Sequence, residues 1–221
     1  MPWRAGFLEG LRNSRKFLAI VSSAGLTAVR NPYVNHTHDN VLLEYQTALQ
    51  ISSHIDDASY VVPVFIGEYT DGMLKKFGDY DSALYPDQLE AMEKPDLSEW
   101  FPVDKGGKVC FKVPSDFPIP DAVSWTPREI MTDLFRVQGI ALDPRDIDPG
   151  LRKIQGAIAS NDADRFRSDG VTSYDVFLSY RVAADADLAE KIYLNLKLAG
   201  LNPFLDKKVC AWVCGQRMMA C

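Results

Sequence analysis

Three continuous apolar runs constrain the fold of this chain more than any other feature: "KFLAIVSS" at 16–23, "YVVPVFIG" at 60–67 and "YDVFLSY" at 174–180. A strand with one wet face alternates apolar and polar residues, whereas a strand covered on both faces is apolar nearly throughout. Runs of this kind belong to a parallel sheet sandwiched between helices. Pro63 interrupts the second run, and because proline cannot donate to a ladder, that strand is expected toward a sheet edge or with the proline at its end.

Helical periodicity fills the intervals. "WRAGFLEGLRNS" spaces Phe7, Leu8 and Leu11 as a short helix ending in Asn-Ser. "DNVLLEYQTALQISSHI" puts Val41, Tyr45, Ala48 and Leu49 on one face, with Asp39 placed to cap the first turn. From Glu68 to Pro120 the chain is rich in Gly, Pro, Asp and Lys, which predicts long loops with one helix around "PDQLEAMEK". "DAVSW" at 121–125 is a third candidate strand. "TPREIMTDLFRVQGI" predicts a helix capped by Thr126, with Pro127 at its first position and Gly139 at its end. Two Asp-Pro steps and a polar tail make residues 143–173 a linker with a short amphipathic patch around Ile154. After the strand at 174–180, "DADLAEKIYLNLKLAG" predicts a helix with Leu188, Ile192 and Leu196 in register and Gly200 as its stop, and "NPFLD" a brief strand. The tail "KKVCAWVCGQRMMAC" has no clean period. Five strands alternating with helices predict a small doubly wound α/β domain.

Composition narrows the function. A formal net charge of −6 over 221 residues provides no basic field for nucleic acid or an anionic membrane surface, so neither is expected as a partner. The basic residues ahead of "FLAIV" resemble a secretory signal, but the run starts late, follows Glu9 and is too short to span a bilayer. Cys110, Cys210, Cys214 and Cys221 do not form the even framework of a small secreted domain, and reduced thiols in the cytoplasm are expected. His36 and His38 lack an evident third ligand, and the Cys210–Cys214 pair lacks a partner pair, so no metal is expected. No G-x-G-x-x-G follows a strand, "GGK" at 106–108 lacks the phosphate-loop spacing, and "VSSAG" lacks the first glycine of a nucleophile elbow, which leaves Ser22 and Ser23 as polar groups at a strand end.

Residues 174–208, with an opening strand "FLSYR", a Leu-Ala helix, a glycine turn and a strand ending in Phe-Leu-Asp, resemble the first half of a Toll/interleukin-1 receptor (TIR) domain. Residues 3–67 resemble its second half: "GFLEGLRNSRKFLAIVSSAGL" is similar to the second helix and third strand, "DNVLLEYQTAL" to the third helix and "VVPVFIG" to the fourth strand. The halves stand in swapped order. The resemblance implies a flavodoxin-like, five-stranded parallel sheet with helices on both faces, in the order second, first, third, fourth, fifth strand. Residues 1–142 would form the second half, 143–173 the linker, and 174–221 the first half with an irregular tail. Two origins fit this order: a segment of a tandem array, or a circular permutant whose linker joins the usual termini.

The resemblance also implies function. Many TIR domains are cytoplasmic signalling modules that associate with other TIR domains and with themselves, and some hydrolyse the nicotinamide–ribose bond of NAD as substrate, without a cofactor. Glu44 in "DNVLLE" occupies the place of the essential glutamate of the cleaving members, and Asp39 that of the acid five residues earlier. Read from the residues alone, Glu44 falls at the border of the apolar helix face and within the first turns, where the macrodipole favours an ionised carboxylate. Such a carboxylate suits ribose hydroxyls and the positive charge that develops as nicotinamide leaves; acids in a first helical turn also arise for dipole reasons alone. By resemblance, Tyr180 and Arg181 face the dinucleotide, Asp206 and Lys207 line the mouth, and Trp3 either stacks on a base or anchors a helix by packing. Asn40 stands where active members often carry Trp or Ser. The readings are an NAD hydrolase, a non-catalytic TIR–TIR interaction module, or an incomplete domain with neither activity.

Overall fold

The computed structural model describes residues 10–11, 13–30, 39–54, 57–70, 73–76, 123–159 and 174–205. The expected helix at 86–94, the histidines at 36 and 38 and all four cysteines lie outside these residues.

The elements run β1 (Phe17–Ser22), α1 (Ser23–Val29), α2 (Asn40–His54), β2 (Val61–Ile66), a small antiparallel pair β3 (Glu68–Thr70) and β4 (Met73–Lys76), α3 (Pro127–Arg136), β5 (Ile140–Leu142), α4 (Asp148–Ala159), β6 (Val176–Ser179), α5 (Val182–Leu198) and β7 (Pro203–Phe204). The main sheet is entirely parallel, in the order β5-β2-β1-β6-β7. This is a flavodoxin-like α/β fold. Its central pair, β1 with β6, joins strands more than 150 residues apart in sequence, with Phe17 opposite Phe177 and Ala19 opposite Ser179.

Period-2 alternation assigns the two faces. Phe17, Ala19 and Val21 of β1 enter one core with α1, α2 and α3, and Leu18 and Ile20 enter the other with α4 and α5. Every residue of β1 is buried, as an apolar run between two layers requires. The early and late segments interlock at this seam. The Phe17 and Phe177 rings stack with centroids 5.5 Å apart, and Phe177 stacks on Phe204 at 5.4 Å. Arg15 pairs with Asp175 at 3.2 Å, the Tyr174 amide donates to the Asn13 carbonyl, and Asp175 accepts from the Asn202 amide at 2.7 Å.

Several expectations change. The 121–125 strand does not form at the residues described: the amides of Ser124 and Trp125 donate to the Gln46 side chain at 3.0 and 3.3 Å, so this backbone is satisfied by α2 and not by a neighbouring strand. The fifth strand is instead β5. The helix capped by Thr126 has its full capping box and Pro127 in its first turn, but it ends at Arg136 with Val137 extended. Gly139 serves close packing, since a Cβ there would lie 2.2 Å from the Phe65 ring. Within the expected linker, residues 148–159 form α4 and bury Leu151, Ile154 and Ile158. Its Asp-Pro step opens the helix, because proline in a first turn forfeits no intrahelical bond. β3 and β4 replace part of the expected loop after Glu68.

Pro63 sits in an interior strand, yet β5 pairs with β2 only from Val64 onward, so the lost amide faces no strand neighbour on that side. Asp39 caps α2, its carboxylate accepting from the Leu42 amide at 3.0 Å. Gly200 ends α5 with a φ of 81°.

Candidate active site at the switch point

Connections diverge at the β6–β1 seam. The chain leaves β6 through α5 to β7 on one side, and leaves β1 through α1 and α2 to β2 on the other. Helices therefore depart on opposite faces, and by topology a crevice is expected beyond the carboxyl ends of the two strands. Open α/β sheets bind ligands at such a switch point.

Glu44 reaches this crevice from the second turn of α2. It is half-buried, and its Oε2 accepts a hydrogen bond from Ser179 Oγ at 2.5 Å. Ser179 is the last residue of β6 and the polar member of an otherwise apolar strand, so its hydroxyl fixes the carboxylate against the sheet. Two residues further along the exit from β6, Arg181 Nη2 pairs with Asp39 Oδ2 at 2.7 Å, with both side chains largely buried. The ion pair thus lies outward of the Glu44–Ser179 contact and bridges the same two elements. Asn40 opens α2 one turn before Glu44 and is half-buried.

Beneath the acids, Tyr45 donates its hydroxyl to the Ile20 carbonyl at 2.9 Å. Burial drives its phenol well above the ordinary range, and the Asp185, Glu44 and Asp39 charges act in the same direction against the lowering effect of Arg181. On the far wall, Asp185 of α5 is only 4% exposed. Burial raises its carboxyl above the usual value, opposed by hydrogen bonding from Ser22 and the Arg181 amide and by the Arg181 charge. The cluster therefore joins three carboxyl groups and one guanidinium around two strand ends. It can hold a cationic or polyhydroxylated ligand against a fixed carboxylate.

Of the residues expected at a site, the structure brings together Glu44, Asn40 and Arg181. Tyr180, expected to face a ligand, is instead 7% exposed and packed into the core on the α4–α5 face, on the opposite side of the sheet from α2. Trp3, Asp206 and Lys207 lie outside the described residues. Ser179 and Asp185 were not anticipated. A signal for each is in the sequence: Ser179 is a hydroxyl at the carboxyl end of an apolar run, and Asp185 stands in the stripe continued by Ala189, Ile192 and Leu196.

Among the described residues there is no group of three or more His, Cys, Asp or Glu side chains arranged to hold a metal ion. Among the same residues no helix is long and apolar enough to cross a membrane. No protein-family model matches the chain, and neither a search of curated proteins nor one of solved structures returns a match.

Proposed function

We propose that this chain is a TIR-type signalling domain that hydrolyses the nicotinamide–ribose bond of NAD, with Glu44 as the key carboxylate. The observation that carries the reading is the Glu44 carboxylate, half-buried and held by Ser179 at the switch point of a parallel sheet. The "FLSYR" and "DNVLLE" stretches add the resemblance.

In the proposed reaction the bond between ribose C1′ and the pyridinium nitrogen breaks, and its electron pair neutralises the ring as nicotinamide leaves. Water adds to the cationic C1′ and gives up a proton. Glu44, held in place before the charge develops, stabilises that cation without reorganising, and its position suits a ribose hydroxyl as well. Among the described residues, Arg181 is the candidate to meet a phosphate, which requires Asp39 to release it.

The test is nicotinamide release from NAD by the purified chain at high concentration, beside Glu44→Ala, with circular dichroism confirming both folds. The expected result is turnover in the parent that drops by about a hundredfold or more in the variant. A folded parent that releases no nicotinamide, or equal release by the variant, refutes the catalytic reading.

One observation favours a second reading, a non-catalytic module that associates with other TIR domains, itself included. Arg181 is already engaged by Asp39. A cluster whose charges satisfy one another serves structure as well as it serves catalysis. Self-association without NAD turnover is the result that selects this reading.

A further inference from the structure

We propose that Asp185 is a positioning residue that offers Arg181 a second docking place, so that the Arg181–Asp39 bridge across the crevice is one of two arrangements. Its relevance to NAD rests on the Glu44 reading above; the two-position behaviour of Arg181 does not.

A buried carboxylate oxygen with no hydrogen-bond partner carries the inference. Asp185 is 4% exposed, and its Oδ2 makes no hydrogen bond. Acids in a first helical turn ordinarily face water. Here the helical stripe turns Asp185 inward, and the backward tilt of helical side chains aims it at the start of its own helix, where Arg181 stands four residues earlier. Gly25 marks how close the two are: a Cβ at that position would lie 3.1 Å from Asp185 Oδ2 and 3.4 Å from Arg181 Cδ. The stem of Arg181 and the unsatisfied oxygen thus border the same glycine. Rotation about the last bonds of the side chain carries the guanidinium from one acid to the other without moving the backbone.

The groups around Asp185 set the balance. From β1 the Ser22 hydroxyl faces it, and from the turn after β6 the Arg181 amide and charge. Within α1, Ser23–Val29 carries no titratable side chain. From α2, Asp39, Glu44 and the Tyr45 hydroxyl belong to the same charge cluster. With Asp185 protonated, Arg181 gains nothing by leaving Asp39, and the bridge from the β6 exit to the start of α2 stays closed. With Asp185 ionised, a buried anion competes for the same cation, and the bridge opens outward of Glu44.

The experiment follows the Arg181 Nε–Hε signal of the full chain by 1H–15N NMR from about pH 4 to 8, a window that spans a carboxyl held above its ordinary value. Arg181→Lys identifies the signal. The expected result is a titrating signal whose midpoint lies above the ordinary aspartate range. Asp185→Asn is expected to abolish the titration and hold the signal at its low-pH position, and Asp39→Asn to remove that low-pH position. A flat parent signal, or a titration that survives Asp185→Asn, overturns the proposal; should that variant fail to fold, an Asp39→Asn chain whose signal still reaches the parent's low-pH position overturns it equally. Nicotinamide release measured on the same samples separates the two readings. An Arg181 signal that follows the titration without turnover refutes the hydrolase and supports the switch, whereas turnover with a flat Arg181 signal does the reverse.

Discussion

Replacing Phe177 with alanine tests whether the early and late segments fold as one unit. The ring is 1% exposed, sits in the second-to-centre strand and is sandwiched between Phe17 and Phe204 at 5.5 and 5.4 Å. Gly10 leaves little room on a further side, since a Cβ there would lie 2.7 Å from Phe177 Cδ2. A ring stacked on both sides leaves a cavity that its rigid neighbours cannot collapse into. The expected loss is therefore about 4 kcal/mol, within the usual range for burying and then deleting a phenyl ring. With a urea slope of about 2 kcal/mol/M, the unfolding midpoint should fall by about 2 M. Hydrogen exchange gives the more telling result. The Phe177 amide donates to the Lys16 carbonyl at 2.9 Å and the Phe17 amide to the Tyr60 carbonyl at 2.8 Å, so both should lose protection together in the variant. A midpoint shift below about 0.5 M, or loss of protection in β6 with β1 and β2 unchanged, would refute the single-unit argument. Leu194→Ala, at a half-exposed position on α5, is the control and should change stability by no more than about 0.5 kcal/mol.

Two further predictions concern packing and pH. Gly139→Ala should destabilise the chain by about 1–3 kcal/mol, read by thermal unfolding, because the new methyl must displace the Phe65 ring and crowd the Pro63 carbonyl 3.0 Å away; an unchanged melting temperature would show that β5 shifts freely. Asp185→Asn should gain stability relative to the parent as pH rises. The folded chain holds the Asp185 proton more tightly than the unfolded chain, so the parent loses stability from the ordinary aspartate range up to the raised value and keeps it below that range. Parallel stability–pH curves for the two proteins would contradict this.

How far the sequence reveals this fold depends on how far each element's partners are local. The buried strands β1, β2 and β6 are legible because a two-faced strand leaves no polar position to hide its pattern. The caps at Asp39 and Thr126 are legible because both partners lie within three residues. The errors fall where a distant group decides. "DAVSW" has the composition of a strand, but Gln46, 78 residues away, takes the Ser124 amide. Edge strand β5 is only three residues long, too short for a period to register. In α4 an Asp-Pro pair marks a helix start with the same letters that mark a break.

The candidate site follows the same division. Glu44 and Arg181 are named through the resemblance, and local context adds only that one lies early in a helix and the other just past a strand. Neither residue says which neighbour it meets. That Ser179 holds Glu44 and Asp39 holds Arg181 depends on β6 lying beside β1, and hence on a pairing between segments at opposite ends of the chain. Asp185 is the instructive case. A charged residue in the first turn of a helix is normally a dipole-favourable surface acid, and its letter alone supports that reading. Its phase contradicts it, because positions 185, 189, 192 and 196 form one buried stripe. Where residue type and helical phase disagree in this way, the phase predicts burial, and a buried carboxyl at a switch point requires either a partner or a proton. Among the described residues here, one guanidinium stands among three carboxyl groups, so both answers are drawn on.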